Sequence, residues 1–138
     1  MKNEDNDNWE ERIEAVLGTD TELSSGNFDK WHAHLLKKLT LPLRVTGIED
    51  FPWEEPYVFG ARDADEYEKL KKTNPSYTDE FDLIDIGGPA EEDDLIAEVR
   101  RVSDKKVFEI HLSWLHTKDE KCAEHEILND YSVWQCNY

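Results

Sequence analysis

The stretch Leu41–Gly60, LPLRVTGIEDFPWEEPYVFG, constrains the fold more than any other part of the chain. It opens as an apolar, strand-like run, passes through the carboxylates of Glu49, Asp50, Glu54 and Glu55, and turns apolar again at Tyr57, Val58 and Phe59. Phe51, Pro52, Trp53 and Pro56 are interleaved with the acids. Aromatic side chains tie a backbone to a core, and the two prolines fix φ and cut the number of loop conformers. Carboxylates held in this way are oxygen ligands already gathered for a cation. The bland reading of the same residues is a solvated acidic loop between two strands.

Charge decides which partners suit such a chain. Asp and Glu number 33 against 16 Lys and Arg in 138 residues, a formal net charge of −17. Disordered acidic tails share that imbalance but are poor in aromatics, whereas this chain carries five Trp, five Tyr and five Phe. It therefore reads as a folded acidic protein, long enough to bury its own core. Its field repels nucleic-acid phosphates and anionic membranes and attracts metal cations and basic proteins. No apolar run approaches the roughly 20 residues that span a bilayer, and the start MKNEDNDNWEE has neither the basic nor the apolar part of a secretion signal. Cys122 and Cys136 are too few to define a disulfide framework. The expectation is a soluble cytoplasmic protein with no nucleic-acid or membrane partner.

Hydrophobic spacing predicts a short helix from Asn8, with Trp9, Ile13, Val16 and Leu17 on one face and Gly18 as its stop. A polar linker to Gly26 follows. A second helix is predicted from Asn27, with Phe28, Trp31, Leu35 and Leu39 at helical spacing, ended by Pro42. From Leu43 the period changes to that of strands. Asp63–Lys72 reads as a helical turn or two, Phe81–Ile86 as a strand stopped by Gly87, Gly88 and Pro89, and Tyr131–Cys136 as a closing strand. Leu95–Val102 and Lys106–Leu112 form a hairpin around Ser103–Lys105. These elements predict an α+β fold: N-terminal helices packed on a small, mostly antiparallel, partly open β-barrel of SH3-like size. Residues 1–26 form an acidic segment with a short helix, and residues 27–138 a single α+β domain.

Candidate chemistry narrows to carboxylates. Asn3, Asp5, Asp7 and Glu14 fall at EF-hand positions, but the sharp turn at position six falls on Asn8, so the motif fails. Further acidic clusters are Asp63, Asp65, Glu66 and Glu68; Asp79, Glu80, Asp82 and Asp85; and Glu91, Glu92, Asp93 and Asp94. Adjacent like charges repel, a divalent ion relieves them, and calcium accepts about six to eight oxygens in irregular geometry. The predicted calcium ligands are the Glu49–Glu55 carboxylates and Glu91–Asp94, with Asp79, Glu80 and Asp82 in reserve. His116, Cys122 and His125 match no zinc spacing. No nucleophile elbow or phosphate loop is present, so no enzyme is expected. Trp53, inside the acidic stretch, is the expected optical reporter. The alternative reading is an acidic interaction protein that blocks a basic partner.

Together these pieces resemble the small acidic calcium-binding protein family first described from cyanobacteria. The resemblance rests on the helix running into Leu39–Leu43, the acidic hairpin entrance Glu91–Val99, the strand Val107–Leu115 and the closing Asn129–Trp134 with Asn137. It covers Asn27–Tyr138, with Leu41–Gly60 its most distinctive stretch, and leaves Asp63–Thr78 as an unmatched insertion. It implies calcium binding without EF-hands, a helix-plus-barrel architecture and a role in buffering or sensing intracellular calcium. In the closing motif it implies that Asp130 caps or pairs locally and that Tyr131, Val133 and Trp134 fill the core.

Overall fold

Both N-terminal segments with helical apolar spacing form helices in the computed structural model, which describes residues 9–58, 63–89 and 94–137. α1 (Trp9–Leu17) buries Ile13 and Leu17, and Gly18 ends it at φ 91°, a conformation glycine adopts without strain. α2 (Ser25–Lys38) begins ahead of Asn27 because Ser24 caps it, its side chain accepting from the Asn27 amide. The Asn27 side chain ties down the linker instead, donating to the Asp20 and Glu22 carbonyls at 3.0 and 2.7 Å. Phe28, Trp31 and Leu35 on α2 are buried, and the helix packs on the sheet.

The strands are β1 (Leu43–Gly47), β2 (Glu80–Pro89), β3 (Leu95–Arg101), β4 (Val107–His111) and β5 (Leu115–Thr117). They form one antiparallel sheet in the order β4-β3-β2-β1-β5. The edges β4 and β5 do not pair, so the expected partly open SH3-like barrel is corrected to an open five-stranded sheet. β5 spans three residues, too little edge to close a barrel, and the chain then leaves the sheet. β2 does not stop at Gly87; the ladder to β3 continues to Pro89, with register shifts absorbing the irregular stretch. The β3–β4 hairpin forms as expected, with Lys105 at φ 66° in its turn.

The larger correction concerns the C-terminus. Two short helices precede it in sequence, α3 (Glu55–Val58), where Tyr57–Phe59 read as an apolar run, and α4 (Ala64–Thr73), longer than the turn or two expected. The expected strand Tyr131–Cys136 belongs instead to a fifteen-residue helix, α5 (Ala123–Asn137). Tyr, Val and Trp favour strands, but Leu128, Tyr131 and Trp134 recur every three residues and bury one face, and that burial prevails over propensity. Trp134 packs edge-on to Phe28 at 4.9 Å and Tyr131 to Trp31 at 5.6 Å, joining α5 to α2. Asp130 does not pair locally; it accepts from the Arg12 guanidinium of α1 at 2.6 and 3.0 Å, so α1 shares this core. Val133 is only partly buried against it. Among the described residues no helix is long and apolar enough to cross a membrane.

Two buried charged side chains fasten α4 and the segment after it onto the sheet. Arg101, 3% exposed, donates to the Lys71, Lys72 and Asn74 carbonyls at the end of α4 and pairs with Asp79 and Asp104 at 3.0 and 2.8 Å. Glu54, fully buried, accepts four hydrogen bonds. Its Oε1 takes the Tyr67 and Ser76 hydroxyls at 2.7 Å each; its Oε2 takes the Tyr77 and Phe51 amides at 2.9 and 3.2 Å. Gly47 completes the seam, since a Cβ there would lie 2.6 Å from Tyr77 Cα.

Replacing Glu54 by Gln swaps an acceptor for a donor facing hydroxyls or amides that need an acceptor. Urea denaturation of Glu54→Gln should show a loss of about 2–3 kcal/mol; an unchanged midpoint would remove Glu54 from its fastening role. A second test uses pH. The Arg101 hydrogen bond holds the Asp104 carboxyl down at about 2, against about 3.9 in an unfolded chain. Its folded value is depressed, so its stabilisation is complete above the unfolded value and disappears as pH falls through about 2. Asp104→Asn should therefore be less stable than the parent at neutral pH and converge with it in strong acid. A gap that persists in acid would show that charge plays no part.

Candidate metal centre

β1 ends at Gly47, and the next residue is pinned at once, the Ile48 amide donating to the Trp114 carbonyl at 2.9 Å. The chain then makes a single tight turn over Pro52–Glu54. Phe51 is buried against Trp114 with ring centroids 5.3 Å apart, and the Trp53 indole N–H donates to the Pro75 carbonyl at 2.7 Å. With Glu54 turned inward, the neighbouring acids point outward from a fixed backbone. Glu49, Asp50 and Glu55 line one cleft of about 510 Å³, and Asp94 lines the same cleft. Asp94, the described residue of the second predicted stretch, therefore shares the cleft with the first.

Asp94 stands at the entry to β3 and is 1% exposed. Its Oδ1 accepts from the Tyr131 hydroxyl at 2.5 Å; its Oδ2 accepts from Ser113 Oγ at 2.5 Å and faces His111 Nδ1 at 3.2 Å. Burial, and then the charge of Asp94, push the Tyr131 hydroxyl far above its ordinary pKa, so it stays protonated and donates. The Leu95 amide in turn donates to Tyr131 Oη at 2.9 Å. His111 stacks on Trp114 at 4.6 Å. Ser132 on α5 also lines the cleft, and its Oγ is buried without a hydrogen-bond partner among the described residues.

The other predicted ligands are placed differently. Glu54 has its oxygens occupied within the protein, as described above. Asp79 accepts from the Ser76 amide and from Arg101. Glu80 pairs with Arg44 and Lys118, each at 3.3 Å, and Asp82 with Arg44 at 2.9 Å. Hydrogen bonding to Asp82 raises the Arg44 pKa further, so this reserve group is matched with cations on the sheet. Glu91, Glu92 and Asp93 lie outside the described residues. Among the described residues no three His, Cys, Asp or Glu side chains stand close enough to grip one metal ion. The His116–Cys122–His125 combination follows suit: the two rings are 6.4 Å apart, His125 meets Thr117 Oγ1 at 2.8 Å, and the Cys122 thiol donates to the Asp119 carbonyl.

Sequence reasoning missed the rear wall of the cleft, which comes from His111–Trp114 and from α5. The spacing of Leu128, Tyr131 and Trp134 was the available signal for that helix. Ser132 carried none. Trp114, not Trp53, is the indole bordering the cleft; Trp53 packs instead beside Tyr57 and Tyr67.

No family model matches the chain, and no curated protein matches it in sequence. Two solved structures match in fold. The crystal structure of Anabaena CcbP superposes with a TM-score of 0.58 at 18% identity, covering 97% of this chain and 92% of that one. A structure described as a calcium binding protein in the calcium-binding form superposes with a TM-score of 0.59 at 18% identity, covering 94% and 90%. The chain therefore has the fold of Anabaena CcbP over nearly its whole length.

Proposed function

We propose that this chain binds calcium at the cleft between the Glu49–Glu55 turn and the entry to β3, and that it does so as a binding protein rather than an enzyme. The observation that carries this reading is the meeting of Glu49, Asp50 and Glu55 with Asp94 on one cleft. The donor set fits the ion. It consists of hard oxygens, the residue type calcium takes in numbers of about six to eight with irregular geometry. Glu91, Glu92 and Asp93 precede Asp94 in sequence and are the further oxygens we assign to the set. The shared fold with a calcium binding protein in its calcium-binding form supports the choice of ion.

In this reading the rigid turn holds like charges together at a standing electrostatic cost, and the ion relieves it. No EF-hand takes part. Magnesium, with its demand for fixed octahedral geometry and its retained water, binds less well. The biological role that follows is a buffer or sensor of calcium in the cytoplasm.

Calorimetry at moderate salt should show calcium heat that magnesium does not match. The variant Glu49→Gln/Asp50→Asn/Glu55→Gln should lower calcium affinity by about tenfold or more while folding normally. Equal weak heat from both ions, or an unchanged affinity in the triple variant, would contradict the reading. Tryptophan fluorescence should report the same titration through Trp114 and lose its response in Trp114→Phe; a response surviving that substitution would place the ion elsewhere.

A further inference from the structure

β4 is an edge of the sheet, because the order β4-β3-β2-β1-β5 gives it a neighbour on one side only. Its ladder shows which way its backbone groups point. The Arg101 amide donates to the Lys106 carbonyl, Val99 stands opposite Phe108, and Ala97 stands opposite Ile110. Peptide groups alternate in direction along a strand, so Phe108 and Ile110 turn theirs to β3 while Val107 and Glu109 turn theirs outward. Among the described residues nothing takes up those outward N–H and C=O groups. Val107 is also 52% exposed, an apolar side chain at the open edge.

Charge selects what fits there. Glu109 stands directly opposite Glu98 on β3, in the close, non-hydrogen-bonded kind of pair, where like charges repel. The Arg100 guanidinium on the same face turns to Asp82, at 3.9 Å, and not to either glutamate. A cation carried on an added strand opposite Glu109 relieves that repulsion. A second copy of the chain does the reverse: antiparallel pairing over the whole of β4 sets Glu109 against Glu109 of the other copy, with a formal charge of −17 on each chain. We propose that the β4 edge docks an extended basic segment of a protein partner, added as a further antiparallel strand. Its backbone pairs with the outward groups of Val107 and Glu109, and a lysine or arginine stands opposite Glu109. Side chains on its other face lie along Phe108, which is partly buried against the core. This edge shares no carboxylate with the cleft assigned to calcium and does not depend on that reading.

The test uses the whole chain without calcium at constant ionic strength, and follows backbone amide shifts and calorimetric heat. The probe is acetyl-Lys-Val-Lys-Val-Lys-amide. One control is the same peptide N-methylated at its lysines, which keeps the charge and loses the strand donors; a second carries glutamates in place of the lysines. The basic peptide should give saturating shifts centred on Val107–His111 and bind about tenfold or more tighter than either control. Val107→Pro removes one outward donor at the first residue of the strand and spares the ladder to β3, so it should lower affinity about fivefold. Glu109→Lys, at an exposed position, should lower affinity about tenfold while leaving the melting temperature at or above that of the parent, since it ends the repulsion from Glu98. Equal binding by the N-methylated peptide, saturation centred elsewhere, no saturation at millimolar peptide, or affinity unchanged in Glu109→Lys overturns the proposal. A dimer of the free chain that Val107→Pro dissolves overturns it as well, since the edge then belongs to a second copy.

Discussion

The buried carboxylate of Glu54 fixes the turn that borders the cleft. It is fully buried among neutral donors from three places in the chain: its own turn, α4 and the segment before β2. A carboxylate in that position is tolerated only because hydroxyls and amides surround it. The consequence is geometric. With Glu54 directed inward and Phe51 packed on Trp114, the acids on either side rise from a fixed backbone into the cleft that Asp94 also lines. Rigidity ahead of binding means that less ordering entropy is lost when a cation arrives.

The structure divides the acidic residues into two populations by what lies opposite them. Glu80 and Asp82 face Arg44, Lys118 and Arg100 across the strands, and Asp79 and Asp104 face Arg101. Those carboxylates are neutralised within the fold. Glu49, Asp50 and Glu55 border a cleft that a fourth carboxylate, Asp94, also lines, held by neutral hydroxyls and His111. A formal charge of −17 therefore does not lie evenly over the molecule in its effect. Where cations match it, it stabilises the sheet. At the cleft, in the reading proposed above, it draws an external cation.

Much of this was legible before the fold was known, and the reasons are local. Leu41–Gly60 carries its own constraints in two prolines and its aromatics, so its role as a fixed acidic turn could be read directly. Both early helices follow from apolar spacing. The helix after Asp63 was visible but underestimated, because the Arg101 clamp on its carbonyls comes from a strand distant in sequence. The C-terminal helix was misread because strand-favouring Tyr131, Val133 and Trp134 crowd its second half. With that helix went the back of the cleft, including Ser132. Glu54 itself looked like its neighbours in the sequence; only tertiary contacts with Tyr67, Ser76 and Tyr77 set it apart.

The most direct test of the central claim is a calcium titration followed residue by residue through backbone amide chemical shifts at constant ionic strength. Calcium bound at the cleft gives saturating shifts concentrated at Ile48–Glu55, Asp94–Leu95 and the neighbouring turn of α5, with the amides around Arg44, Glu80 and Asp82 unmoved. Small shifts spread over every acidic stretch without saturation, or saturation centred on Glu80 and Asp82, would contradict it.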